Sequence, residues 1–116
     1  MINEVVILGS TGSVGSSTLS SIYKNKKFKV KLLTTNKNVK KLLNQAIEYN
    51  VKNVIIENET KYLKYRKLLK KKKINLYLGH NNINIILKKR VNFCINSISG
   101  IYGLEPTLAI IPFTKK

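Results

Sequence analysis

Val5-Val6-Ile7-Leu8-Gly9-Ser10-Thr11-Gly12-Ser13-Val14-Gly15 is the stretch on which the reading of this chain turns. An apolar run that ends in a glycine-rich turn and opens a helix is the arrangement that seats a dinucleotide pyrophosphate. Gly9 lets the backbone leave the strand through a tight turn, Gly12 lets phosphate oxygens approach the main chain, and Gly15 lets the first helix pack close to the sheet. The amides from Thr11 to Val14 are then free N–H groups at a helix N-terminus, where the helix dipole favours an anion. Ser10, Thr11 and Ser13 add hydroxyl donors. A ligand-free strand-to-helix turn needs similar glycines, so the placement of this GxxGxxG spacing between a strand and a helix carries the reading.

Outward from that turn, strand-like runs alternate with helical patterns along the whole chain, which predicts parallel βαβ units. Strands are expected at residues 5–8, 28–33, 53–56, 74–78 and 91–98, and helices at 13–23, 39–49, 60–71 and 81–89. Val39, Leu42, Leu43, Ala46 and Ile47 carry the second helix, and Leu63, Leu68 and Leu69 the third. Asn81-Asn82-Ile83-Asn84 gives the fourth helix poor intrinsic propensity. No linker, repeat or low-complexity tract marks a boundary, so the expectation is one α/β domain with a doubly wound, Rossmann-like parallel sheet.

The length of 116 residues suits one domain. The formal charge is +17, from 22 Lys and Arg against 5 Asp and Glu, a balance that ordinarily suggests nucleic acid. The lysines are spread over strands, helices and loops alike, together with many Asn and Ile, as low-GC coding drift would produce. The densest cluster, Lys70-Lys71-Lys72-Lys73, follows Leu68-Leu69 and reads as a solvated helix end. A lone cysteine, Cys94, excludes an internal disulfide and reads as inert packing inside a strand; no apolar stretch is long enough to span a bilayer. A reducing cytoplasm fits. His80 reads as a loop or helix-start residue.

NAD-binding versions of this fold carry an acid at the end of the second strand to hold the ribose 2′-hydroxyl. Here that position falls in Thr34-Thr35-Asn36-Lys37-Asn38, which has no acid. A lysine attracts a 2′-phosphate where a carboxylate repels it, so NADPH is expected over NADH. Asn36 and Asn38 also suit the turn and the cap of the second helix.

The run from Ile7 to Leu19 closely resembles the opening of the 1-deoxy-D-xylulose 5-phosphate reductoisomerases. Asn36-Lys37-Asn38-Val39 resembles that family's Gly-Lys-Asn cofactor loop, and Ser99-Gly100-Ile101-Tyr102-Gly103-Leu104-Glu105-Pro106-Thr107-Leu108-Ala109 its loop and helix after the fifth strand. The resemblance implies an enzyme of the methylerythritol phosphate route to isoprenoids, reducing its substrate to 2-C-methyl-D-erythritol 4-phosphate with NADPH and Mg²⁺ or Mn²⁺, and a homodimer at full length. Carried over, Thr11, Gly12, Ser13 and Val14 would hold the pyrophosphate, Asn36, Lys37 and Asn38 would surround the ribose phosphate, and Ser97 would lie near the cofactor. Asn36 departs from the family's glycine, which asks whether φ is positive there.

The resemblance fades after Ala109, before the family's Asn-Lys-Glu motif, metal carboxylates and substrate residues. The expectation is an NADPH-binding domain over residues 1–116 without its catalytic domain: a truncated or decayed gene, or a partner of a separately encoded C-terminal portion. Glu4, Glu48, Glu57, Glu59 and Glu105 are scattered, so no metal site is expected. Other glycine-turn oxidoreductases are disfavoured by the segment 99–109 and by the lack of a placed Tyr-x-x-x-Lys. A basic nucleic-acid module is disfavoured by the absence of helix-turn-helix spacing, zinc ligands or an aromatic platform. A third expectation is a chain inert by itself, with sheet edges and helix faces left bare.

Overall fold

The computed structural model describes residues 3–36, 38–79, 82–87 and 91–96. The elements run β1 (Asn3–Leu8), α1 (Ser13–Tyr23), β2 (Phe28–Thr35), α2 (Val39–Glu48), β3 (Asn53–Ile56), α3 (Glu59–Lys71), β4 (Asn75–Leu78), α4 (Ile83–Ile86) and β5 (Phe93–Asn96). The five strands form one sheet in the order β4-β3-β2-β1-β5, and every neighbouring pair is parallel.

Handedness explains where the helices go. Right-handed crossovers from β1 through β4 move steadily one way and put α1, α2 and α3 on one face, whereas the return to β5 beyond β1 puts α4 on the other. The two cores divide accordingly. Leu19, Val39, Leu42, Ala46 and Leu69 pack with Val5, Ile7, Leu33, Val54 and Ile56 on the first face. Ile83 and Leu87 pack with Val6, Leu8, Leu32 and Ile55 on the second. The sheet order reverses between β1 and β5, and a ligand crevice in such a sheet lies outside the carboxyl ends of the strands at that switch point.

β2 changes face midway. Val5 pairs with Val30 but Val6 pairs with Leu32, leaving Lys31 as an extra residue. With a side-chain period of two, this one-residue bulge turns Leu33 onto the same face as Val30 and sends Leu32 to the opposite one. Lys31 meets Glu4 across the pair at 3.1 Å.

Several boundaries move. β2 runs two residues past its expected end, because Thr34 and Thr35 remain in the ladder with β3. α4 is one turn where residues 81–89 were expected, as its asparagine-rich start allows; the Asn82 amide donates instead to the carbonyls of Leu78 and Gly79. Leu63 and Leu68 are exposed, and α3 turns Tyr62, Tyr65 and Leu69 inward. Ile47 is likewise outside, while Gln45 is buried. His80 and residues 97–116, including Ser97 and the 99–109 segment, lie outside the described residues.

Candidate dinucleotide site

The glycine turn sits at the carboxyl end of β1, and β2 braces it from the side. Gly9 takes φ 77°, a left-handed conformation that favours glycine. Its N–H donates to Thr34 Oγ1 at 3.0 Å, and the next N–H, of Ser10, donates to the Thr34 carbonyl at 2.9 Å. The Gly12 N–H closes the turn on the Gly9 carbonyl at 3.4 Å. Thr11 Oγ1 and Thr35 Oγ1 are 2.6 Å apart, which ties the turn to the end of β2.

Gly12 caps α1 with φ −74° and ψ 171°, an extended conformation open to any residue, and no side chain caps the helix. A Cβ there would meet nothing nearer than the Gly9 carbonyl oxygen at 3.7 Å. The interior therefore does not demand glycine at this position, since a Cβ would make only an ordinary contact there. The first N–H groups of α1 have no intrahelical acceptor, and Ser13 and Val14 are exposed beside them, Val14 by 65%. Together they make an uncapped, partly positive helix end at the switch point.

Asn36 and Asn38 flank the other side. The Asn36 carbonyl accepts the N–H groups of Glu57 at 3.2 Å and Asn58 at 3.0 Å, and Asn38 Oδ1 accepts the Lys41 N–H at 3.4 Å as the cap of α2. Among the described residues only Asn50 and Lys73 are non-glycine residues with positive φ, so Asn36 replaces glycine without backbone strain. Lys37 lies outside the described residues. The structure thus brings Thr11, Gly12, Ser13 and Val14 to one turn and links that turn to the β2 end through Thr35.

Sequence reasoning erred on Ser10. Its hydroxyl is fully buried and donates to Gln45 Oε1 at 2.9 Å, so it does not face a ligand. It also passed over Gln45, Thr34 and Thr35, which hold the turn from behind; a polar residue inside the apolar face of α2 is the signal that marks Gln45. Cys94 packs on the second core, and burial pushes its thiol up to about 11, against a nucleophilic role. Among the described residues no three His, Cys, Asp or Glu side chains gather as a metal site. No described helix is long and apolar enough to cross a membrane.

A family profile described as 1-deoxy-D-xylulose 5-phosphate reductoisomerase matches residues 5–116. The chain belongs to this family. The reductoisomerase of Pelagibacter ubique is 44% identical over 115 residues, covering 97% of this chain and 30% of the relative. That of Buchnera aphidicola subsp. Schizaphis graminum is 36% identical over 112 residues, covering 93% of this chain and 28% of its own. The structure of the reductoisomerase from Zymomonas mobilis in complex with NADPH superposes with a TM-score of 0.83 at 31% identity, covering 96% of this chain and 30% of that one. A reductoisomerase in complex with NADPH, fosmidomycin and magnesium gives 0.81 at 27% identity, covering 93% and 27%. The chain thus spans about 30% of the length of the curated reductoisomerases it matches.

Proposed function

We propose that residues 1–116 form the NADPH-binding domain of a reductoisomerase that converts 1-deoxy-D-xylulose 5-phosphate to 2-C-methyl-D-erythritol 4-phosphate. The observation that carries this is the uncapped N-terminus of α1 beside an unobstructed Gly12, within a chain of this family. NADPH, when bound, supplies the hydride for the reductive step. The backbone N–H groups of Thr11, Ser13 and Val14 hold the pyrophosphate, with Gly12 between them leaving room for it, and the exposed Val14 offers apolar cover beside it. Asn36, Lys37 and Asn38 surround the ribose, with the lysine charge matched to the 2′-phosphate.

Metal-binding and substrate-binding residues of such an enzyme belong outside residues 1–116, whether in the same polypeptide or in a separately encoded portion, and the assembled enzyme is a homodimer. A lone thiol packed in a strand suits a reducing cytoplasm, the compartment we assign. No nucleic-acid partner enters this reading.

Titration of the purified chain with NADPH and, in parallel, NADH tests it. Saturable binding that prefers NADPH is expected, with the preference reduced at least several-fold in Lys37→Glu, since a carboxylate there repels a dianion. A folded chain that binds neither nucleotide, or both equally, overturns the reading.

A further inference from the structure

Gln45 is 7% exposed, the least accessible polar side chain on α2, and its side chain makes three hydrogen bonds to the glycine turn and the first turn of α1. Nε2 donates to the Ser10 carbonyl at 2.8 Å and to Ser16 Oγ at 3.3 Å, while Oε1 accepts from Ser10 Oγ at 2.9 Å. Ser16 Oγ adds a second donor to the same carbonyl at 3.1 Å. The amide cannot be turned over without placing Oε1 against the Ser10 carbonyl oxygen, so its orientation follows from the network.

Peptide geometry gives this clamp a consequence at the surface. The Ser10 C=O and the Thr11 N–H belong to one planar trans peptide and point in opposite directions. Drawing the carbonyl inward onto Gln45 turns the Thr11 N–H away from the core, and that N–H has no acceptor among the described residues. Thr34 fixes the peptide before it through the Ser10 N–H. We propose that Gln45 is a positioning residue for the pyrophosphate: it orients the Thr11 N–H as a donor to the nucleotide without touching the nucleotide itself. This rests on the NADPH-binding reading above. It also makes α2 common to both halves of the proposed site, with Asn38 at its start on the ribose side and Gln45 about two turns further along behind the phosphates.

The test compares NADPH with adenosine 2′-monophosphate, which has the ribose phosphate but no pyrophosphate. In Gln45→Met, which keeps the volume and removes all three bonds, NADPH affinity is expected to fall about tenfold while adenosine 2′-monophosphate affinity changes less than about twofold. Thermal denaturation confirms that the variant is folded. Unchanged NADPH affinity overturns the proposal, as does an equal loss for both ligands, which is what a purely structural role predicts. Amide exchange on the unmodified chain is the second measurement and does not depend on the variant folding. The Thr11 N–H should exchange quickly in the free chain and be protected by NADPH but not by adenosine 2′-monophosphate. A Thr11 N–H that NADPH leaves unprotected overturns the proposal. Failure of the unmodified chain to bind NADPH at all is a separate result and removes the parent reading.

Discussion

Two glycines three residues apart do opposite jobs, and substitution separates them. Gly9 at φ 77° is required by the fold, since an L side chain in that region costs roughly 1–2 kcal/mol. Gly9→Ala should therefore lower the thermal midpoint by about 4–8 °C for each kcal/mol lost in a domain of this size. Gly12 has an ordinary φ, and a Cβ there would make only ordinary contact, so the described chain itself does not require glycine at this position. Gly12→Asp adds a carboxylate cap to a helix that has no side-chain cap, which should leave stability equal or raise it by up to about 1 kcal/mol. The same carboxylate occupies and repels the proposed phosphate position, so NADPH binding should be lost. Thermal melts and titrations on the two variants check both halves. A Gly12→Asp chain as unstable as Gly9→Ala would mean that the turn, rather than a ligand, demands both glycines.

Elements were legible where pattern and capping agreed. The first strand, its glycine turn and α1 read correctly because a short apolar run meets a breaker and then a helical pattern. α2 was legible because Asn38 marks its start and Val39, Leu42 and Ala46 keep helical spacing, whereas α3 was placed from Leu63, Leu68 and Leu69, of which only Leu69 is buried, and its cap at Asn58 went unread. What stayed hidden depends on contacts distant in sequence. Thr34 and Thr35 looked like loop because only β3 keeps them in the ladder. The bulge at Lys31 leaves no local signature, and α3 buries tyrosines where leucines sat at equally good spacing. At the site, the position of the glycine turn between β1 and α1 was legible, but its support was not: Gln45 lies 35 positions from Ser10. The two caps make a graded prediction. Asn58 Oδ1 accepts the Lys61 N–H at 3.0 Å in a half-buried setting, and Asn38 Oδ1 accepts the Lys41 N–H at 3.4 Å in an exposed one. Asn58→Ala should cost about 1 kcal/mol and Asn38→Ala clearly less. Urea midpoints for both variants check the order, and a larger loss at Asn38 would show that its side chain supports the β2–α2 connection beyond capping.

Across the whole molecule the dominant physical fact is a formal charge of +17 on 116 residues. Among the described residues one ion pair is seen, Lys31 with Glu4, and both partners are about a third exposed. One group of cations gathers away from the glycine turn. An open groove of about 640 Å³ between α3 and the start of β4 is lined by Arg66, Lys67, Lys70 and Lys73 with no acid among its walls. It lies at the opposite edge of the sheet from β5, at the amino ends of the strands. Folding brings these charges closer together than they stand in the expanded chain, so self-repulsion opposes the compact state. Salt should act against that repulsion: between about 0.01 M and 1 M sodium chloride the Debye length falls from roughly 30 Å to 3 Å. Screening also weakens the Lys31–Glu4 pair, but an exposed pair contributes at most about 1 kcal/mol. Repulsion among many cations outweighs it, and the thermal midpoint should rise by several degrees across that range. Sodium chloride is the salt to use, because sulfate or phosphate could also occupy the end of α1 and stabilise by binding. A midpoint that stays flat would place equal repulsion in the unfolded chain, and one that falls would mean that attractive pairs, more numerous than the Lys31–Glu4 contact, hold the domain together.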